Sequence, residues 1–192
     1  MRLRALLIPV ILLGAALRPA GAQGALTAPA EPAGARVAAL DVALYNAQAN
    51  VQEPSDTAKA TLATEVLHVT LRRLLPGQTA DSGAVRTAAR SDSALAITGG
   101  QPCNVIVACA RWVAGEVGAP WVVLAKVSKT SNLIWLLTAQ LVHAPTGRIV
   151  LDDSTELKGE PEAMVRAGAR IFAERVARTV RAGGVTTDFP MP

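Results

Sequence analysis

Aromatic residues are scarce in this chain of 192 residues, and so are the side chains that usually build catalytic centres. Aromatics make up 3% of the sequence, and there are only two cysteines and two histidines. No nucleophile–base pair and no set of metal ligands with the usual spacing can be recognised among so few. Because 51% of the residues are nonetheless hydrophobic, we expect an aliphatic core, no cofactor, no metal and no enzymatic activity.

Long apolar runs are also missing. The run from Ala5 to Leu17 follows the basic start MRLR and precedes small residues that end at Ala22. It is shorter than the roughly 20 residues that a membrane-spanning helix needs. A basic start, a short apolar stretch and a small-residue end are typical of a secretory signal peptide. We therefore predict a signal peptide at residues 1–22, export to the periplasm or beyond, and no stable membrane anchor after cleavage.

The charge of the chain depends on that signal. The sequence has 19 Lys and Arg against 15 Asp and Glu, with a pI near 9.6. Three of the basic residues, Arg2, Arg4 and Arg18, lie in the predicted signal, which contains no acidic residue. The exported chain keeps 16 basic and 15 acidic residues, so the sequence does not favour a nucleic-acid partner.

Residue patterns predict one α/β domain at 35–182, after an extended leader at 23–34 and before a flexible tail at 183–192. Alternating and helical periodicity give the order β-α-β-α-α-β-β-β-α, which indicates a mixed β-sheet packed with helices. The predicted strands are 35–45, a short edge strand at 78–82, 121–127, 133–143 and 148–157. The predicted helices are 57–75 with Asp56 as N-cap, 83–90, 102–118 and 161–181, with a weak extended segment at 95–100.

Three short motifs resemble the amino-terminal domain of TolB and the curli secretion lipoprotein domain: VAALDV (37–42), VGAPWVVLAKV (117–127) and HAPTGRIV (143–150). The chain is still more similar to an uncharacterised family of exported bacterial proteins, whose features appear here as Cys103, Cys109 and KVSKTSNLIW (126–135). The resemblance implies a TolB-like fold. It also implies an assembly or interaction module of the cell envelope, without shared catalytic residues.

The two cysteines, Cys103 and Cys109, are predicted to form a disulfide, the usual state in an oxidising compartment. Six residues within one helix would separate them by a rise of about 9 Å, beyond the roughly 7 Å that a disulfide allows. The bond therefore requires the helix to begin after Cys103, for instance with Asn104 as its cap. The alternative is two separate thiols, with Cys109 buried on an apolar stripe.

A polar loop at 128–132 is the main candidate for binding, because loops on rigid strands often carry binding groups. The candidate residues for a ligand or partner are Lys126, Ser128, Lys129, Ser131 and Asn132. Trp112, on the cysteine-bearing helix, is a candidate interface anchor. A plain turn and a partly buried tryptophan are the alternatives.

The remaining polar residues are expected to be solvated: His68 on the first helix, His143 in a hairpin, and the carboxylates Asp152, Asp153 and Glu156. The sequence thus predicts an exported, non-enzymatic module that binds another envelope protein. A periplasmic carrier or sensor of a small ligand or metal is the alternative.

Overall fold

Five strands form one mixed sheet in the computed structural model of the chain, which describes residues 36–46, 53–101, 103–131, 134–157 and 160–184. These residues all lie within one compact unit. The predicted signal peptide, the leader at 23–34 and most of the tail lie outside the described residues. The strands are β1 (Val37–Ala39), β2 (Ala43–Asn46), β3 (Trp121–Lys129), β4 (Trp135–His143) and β5 (Arg148–Leu157).

The helices are α1 (Pro54–Leu74), α2 (Ser82–Ala89), α3 (Asp92–Thr98), α4 (Val107–Glu116) and α5 (Pro161–Arg181), with a 3-10 turn at Cys103–Val105. The α/β class and the element order agree with the prediction from sequence. At the predicted edge strand 78–82, a single parallel bridge joins Thr79 to Val37 before α2 begins. No helix in the described part of the chain is both long and apolar enough to cross a bilayer.

β3 lies inside the sheet, parallel to β1 and β2 on one side and antiparallel to β4 on the other. β4 in turn pairs with β5, which forms the opposite edge. β3 has buried apolar residues on both of its faces, as expected for a strand that is covered on both sides. The sheet therefore has two edges among the described residues, one made by β1 and β2 and the other by β5.

The predicted first strand is interrupted by a one-residue bulge. Ala39 pairs with Val123 and Ala43 with Lys126, so three residues (40–42) stand opposite two on β3. An extra residue shifts the alternation of side chains: Val42 packs into the same core as Val37 although their spacing is odd. Asp41 lies in the bulge, and its side chain belongs to neither hydrophobic core of the protein.

Two hydrophobic cores flank the sheet. α1 and α5 cover one face, with side chains such as Leu67, Leu71 and Phe172 packed on β3 and β4. The smaller core on the other face lies under α2, α3 and α4, and contains Cys109 and Val113. Its sheet residues come mainly from β1 and from the first half of β3. The far half of this face is left without a helix from the described chain.

Two local predictions were wrong. Asp56 is not the N-cap of α1: the helix begins one turn earlier, Glu53 is the cap, and Asp56 accepts a hydrogen bond from the amide of Glu53 at 3.1 Å. Residues 95–100 are not extended but largely helical. α3 has Ser91 as its N-cap, accepting from the amide of Ala94, and Gly99 as a left-handed C-cap. These capping residues stabilise a short helix despite its weak periodicity.

Candidate functional site

The predicted disulfide between Cys103 and Cys109 is confirmed. Their Cα atoms lie 5.3 Å apart, because α4 begins only at Val107 and Cys103 sits in the preceding 3-10 turn. The helix thus begins after Cys103, as the bond requires, although its N-cap is Ile106 and not Asn104. The alternative of two separate thiols is excluded, and neither cysteine can serve as a free ligand.

The predicted polar loop is divided by the structure. Ser128 and Lys129 belong to β3 and are buried. The turn that follows is held by its own hydrogen bonds: the hydroxyl of Thr130 donates to the carbonyl of Ile134 at 3.0 Å, and the hydroxyl of Ser131 accepts from the amide of Ile134 at 3.1 Å. Asn132 lies outside the described residues. A binding role for this set stays a prediction, but the set is not one exposed loop.

Lys129 forms a buried ion pair with Asp56. Its Nζ lies 3.0 Å from Oδ2 of Asp56, and the two side chains are 4% and 1% exposed. Burial raises the pKa of the Asp56 carboxyl. The hydrogen bond from the amide of Glu53 and the ammonium of Lys129 together lower it by more, so the pKa lies below its usual 3.8. The pair ties the end of β3 to the first turn of α1, which makes it a structural link between two elements.

Lys126 and Ser128 lie on the opposite face of β3 from Lys129, because side chains alternate along a strand. This face is the one that α2, α3 and α4 cover only in part. Lys126 is half-buried, with its Nζ 5.6 Å from the ring centre of Tyr45. We call this region the uncovered sheet face, and it consists of Tyr45, Lys126, Thr138, Gln140, Asp152 and Glu156. A cavity of about 150 Å³ lies on it, bounded partly by Val105.

A second feature is an elongated groove beside the edge of the sheet that β2 forms. We call it the edge groove. It has a volume of about 560 Å³ and is lined by residues 41–44, by one side of α1 from Thr57 to Arg72, and by Ser82 and Arg86 of α2. A neighbouring cavity of about 470 Å³ shares Asp41 and Arg86 with it and reaches Leu95 and Cys103.

His68 lies at one end of the edge groove. It was expected to be solvated, which is wrong: the side chain is only 9% exposed. The sequence pattern predicted the wrong exposure for His68, because other parts of the chain bury polar positions of α1 beside its apolar stripe. Its Nε2 lies 3.9 Å from Oδ1 of Asp41 and has no hydrogen-bond partner among the described residues.

The pKa of His68 is lowered from 6.5. Burial is the largest cause, opposed by the Asp41 carboxylate and by a hydrogen bond to the backbone of Leu40, while Arg72 and Arg86 lower it further. The ring is therefore neutral at neutral pH. Because Nε2 has no partner, we assign the Leu40 hydrogen bond to Nδ1, which leaves Nε2 as the unprotonated nitrogen of a ring that lines the groove.

The other candidates have ordinary structural surroundings. Trp112 is half-buried and packs against the smaller core. His143 is hydrogen-bonded through Nδ1 to the hydroxyl of Thr146 at 2.9 Å, and Asp153 is ion-paired with Arg175. No three His, Cys, Asp or Glu side chains of the described chain are grouped as metal ligands.

Sequence reasoning missed the edge groove. Its charged and titratable residues are at positions 41, 65, 68, 72 and 86, which only the fold brings together. Two signals were present: the acidic residue Asp41 within the motif VAALDV, and the polar positions of α1 that recur at helical spacing between Thr57 and Arg72. Neither signal shows by itself that an edge strand lies beside that side of the helix.

The model of the DUF3280 family, described as "Protein of unknown function (DUF2380)", matches residues 35–176. The chain belongs to this family. The expected likeness to an uncharacterised domain family is thereby confirmed. No curated protein matches the DUF3280 chain.

Several solved structures are similar in fold. The C-terminal domain of LpoB from Salmonella enterica is 20% identical with a TM-score of 0.45, covering 66% of this chain and 84% of that domain. The PelC dodecamer from Paraburkholderia phytofirmans is 15% identical with a TM-score of 0.41, covering 80% of this chain and 90% of PelC. TolB from Acinetobacter baumannii is 16% identical with a TM-score of 0.40, covering 81% of this chain and 30% of TolB. Nothing about function follows from likenesses of this size.

Proposed function

We propose that this DUF3280 protein is an exported, non-enzymatic accessory module that binds another protein of the cell envelope. The observation that carries the proposal is the uncovered sheet face. One half of this sheet face is packed under α2, α3 and α4, while the other half presents polar and aromatic side chains without a helix from the described chain.

Export is supported by the disulfide between Cys103 and Cys109. Disulfides persist in the periplasm and outside the cell, and are rare where thiols are kept reduced. The signal peptide predicted at residues 1–22 points to the same compartment.

The chemistry of the uncovered sheet face suits a protein partner. Tyr45 is 56% exposed and Val105, at the margin, is 40% exposed. Aromatic side chains are enriched in protein interfaces. Lys126 stands on one side of the face, and Asp152 and Glu156 stand on the other, so a partner would meet both signs of charge. Such an arrangement fixes the orientation of docking more than it adds affinity.

A role without catalysis is supported by the surroundings of the titratable groups. Cys103 and Cys109 are bonded to each other, and Lys129 is neutralised by Asp56. In the described part of the chain, the edge groove brings His68 near a carboxylate but near no cysteine. The hydroxyl of Ser82, which lines the same groove, accepts a hydrogen bond from Arg86 and none joins it to Nε2 of His68. The cysteines, Lys129 and Ser82 therefore make structural contacts and are not paired with a base.

Photo-crosslinking in cells tests the proposal. A photoreactive residue at Thr138, on the uncovered sheet face, should crosslink to one envelope protein, whereas the same residue at Arg170, exposed on α5, should not. The purified pair is then studied by calorimetry. We expect Lys126→Glu to weaken binding at least tenfold and Arg170→Glu to leave it unchanged. Equal binding by both variants, or no crosslinked envelope protein, would contradict the proposal.

A second function, the carrier of a ligand, is favoured by one specific observation. The edge groove holds His68, a buried side chain whose Nε2 has no hydrogen-bond partner among the described residues. The disulfide removes the cysteines from this hypothesis, and the groove replaces them as the candidate site.

A further inference from the structure

The edge groove is long. Its helical side runs from Thr57 to Arg72, a distance of about 22 Å at the rise of an α-helix. An extended chain of about seven residues covers the same length. A groove of this shape suits an extended peptide better than a compact small molecule.

One wall of the groove is an edge strand. β2 pairs with β3 on one side, and no described strand pairs with it on the other. The amide of Val42, beside β2, donates to the hydroxyl of Thr64 on α1 at 2.8 Å, so backbone groups of this edge are directed toward the groove. An exposed edge between a strand and a helix is a place where an extended peptide can add as a further strand.

Most of the charged side chains of the groove lie toward one end, and Glu65 adds a carboxylate about two helical turns before Arg72. Arg86 is near Asp41, at 3.8 Å, and its guanidinium also donates to Ser82. Arg72 is exposed, and it makes no ion pair with any residue that the structure describes. The remaining length, along Thr57, Ala60 and Thr61, is neutral and lined by small side chains. A peptide with a carboxylate would therefore find an unused cation at one end and little steric obstruction along the rest.

His68 supplies a second and independent indication of a ligand. The side chain is nine-tenths buried, lines the groove, and has an Nε2 without a hydrogen-bond partner among the described residues. A buried polar atom without a partner is costly to the fold. A donor group on a bound peptide would supply the missing hydrogen bond.

We propose that the edge groove binds an extended segment of a partner protein, which lies along β2 with a carboxylate at Arg72, beyond the repulsion of Glu65, and a hydrogen-bond donor at Nε2 of His68. This site is separate from the uncovered sheet face. It requires neither catalysis nor a free thiol, and it adds a peptide-binding activity to the proposed module.

The test uses a display library of random eight-residue peptides, selected on the purified protein with its disulfide intact. We expect the enriched peptides to contain Asp or Glu. A synthetic peptide of the best sequence should shift the amide NMR signals of residues 41–46 and of α1. No enriched sequence, or shifts at Lys126 and Thr138 in place of the groove, would overturn the proposal.

Two neighbouring arginines provide the matched control. Arg72→Glu should weaken binding of the selected peptide at least tenfold, whereas Arg73→Glu, which makes the same charge change outside the groove, should change it less than twofold. Equal loss in both variants would show that only net charge matters, and the proposal would fail.

A deletion tests whether the groove is instead filled by the chain itself. If removing residues 185–192 tightens peptide binding tenfold or more, the tail is the occupant and a partner segment is not. Lys126→Glu should leave peptide binding unchanged, so failure of this proposal and failure of the proposed function are distinguishable.

Discussion

Lys129 shows how burial changes the role of a residue that the sequence presents as a candidate binding group. In the sequence it stands among hydroxyls and an amide, a composition typical of an exposed turn. In the structure it is the last residue of β3, next to the buried carboxylate of Asp56 and near the ring of Trp135. Its charge serves to hold two elements together.

The cost of losing this ion pair can be measured. Lys129→Met leaves an ionised Asp56 buried without its partner, and we expect a loss of about 3–5 kcal/mol in the free energy of unfolding. Lys126→Met, on the same strand but half-buried, should change it by less than about 0.5 kcal/mol. Denaturant titration compares the two. The double variant Asp56→Asn with Lys129→Met should recover part of the loss, and an additive loss would contradict this account.

His68 gives the stability of the protein a pH dependence. Because its pKa is lowered in the folded state, the unfolded chain binds a proton first as the pH falls below 6.5. Its contribution to stability is complete above that pH and is lost as the pH falls through the folded pKa, with a slope of at most about 1.4 kcal/mol per pH unit.

Denaturant titrations between pH 8 and pH 5 check this prediction. The slope should be smaller in His68→Gln than in the unchanged protein, with Asp41, Arg72 and Arg86 still present around the position. An identical slope in both proteins would assign the pH dependence to other groups.

At the scale of elements, the sequence predicts best where a pattern is long. β3, β4, β5 and α5 were predicted to within a few residues, because each repeats its pattern over nine residues or more. α3 was missed, since seven residues carry too little periodicity and its caps decide its conformation. The bulge between β1 and β2 was also missed. Apolar residues continue through it, and only the register with β3 reveals the extra residue.

The approach of α5 to the sheet depends on a glycine. A Cβ at Gly168 would lie 2.7 Å from Cδ2 of the buried Leu137, whereas a Cβ at Gly115 in α4 would meet nothing within 4 Å. Gly168→Ala should destabilise the protein by about 1 kcal/mol, because overpacking costs more than the gain in helix propensity. Gly115→Ala should stabilise it by up to about 1 kcal/mol. Thermal unfolding of both variants decides, and a change of the same sign in both would refute the prediction.

At the scale of the whole molecule, the sequence predicted the fold class, the disulfide and the family resemblance, but not the groove. Motifs and cysteine spacing are local, so they can be read along the chain. The edge groove joins Asp41, His68, Arg72 and Arg86, and their proximity follows from how α1 and α2 return beside an edge strand. No spacing rule in a single sequence contains that information.

Export and disulfide formation are tested together by one mass measurement. Protein recovered from the cell envelope should begin at Gln23 and weigh two hydrogens less than its reduced form, because Cys103 and Cys109 are bonded. Alkylation without prior reduction should add nothing to the mass. A mass that still includes residues 1–22, or two alkylated thiols, would contradict the predicted export.

The bulge at Asp41 has a consequence for solubility. A continuous edge strand from Val37 to Asn46 would offer a long, regular row of backbone groups, and such edges recruit other chains into aggregates. The extra residue breaks that row, and the bridge between Val37 and Thr79 covers part of it. Deleting Asp41 would restore regular alternation with the same apolar residues facing the same cores. We expect the resulting protein to fold but to associate with itself more readily, because a regular edge is open to pairing with other chains. The single extra residue therefore limits aggregation through this edge.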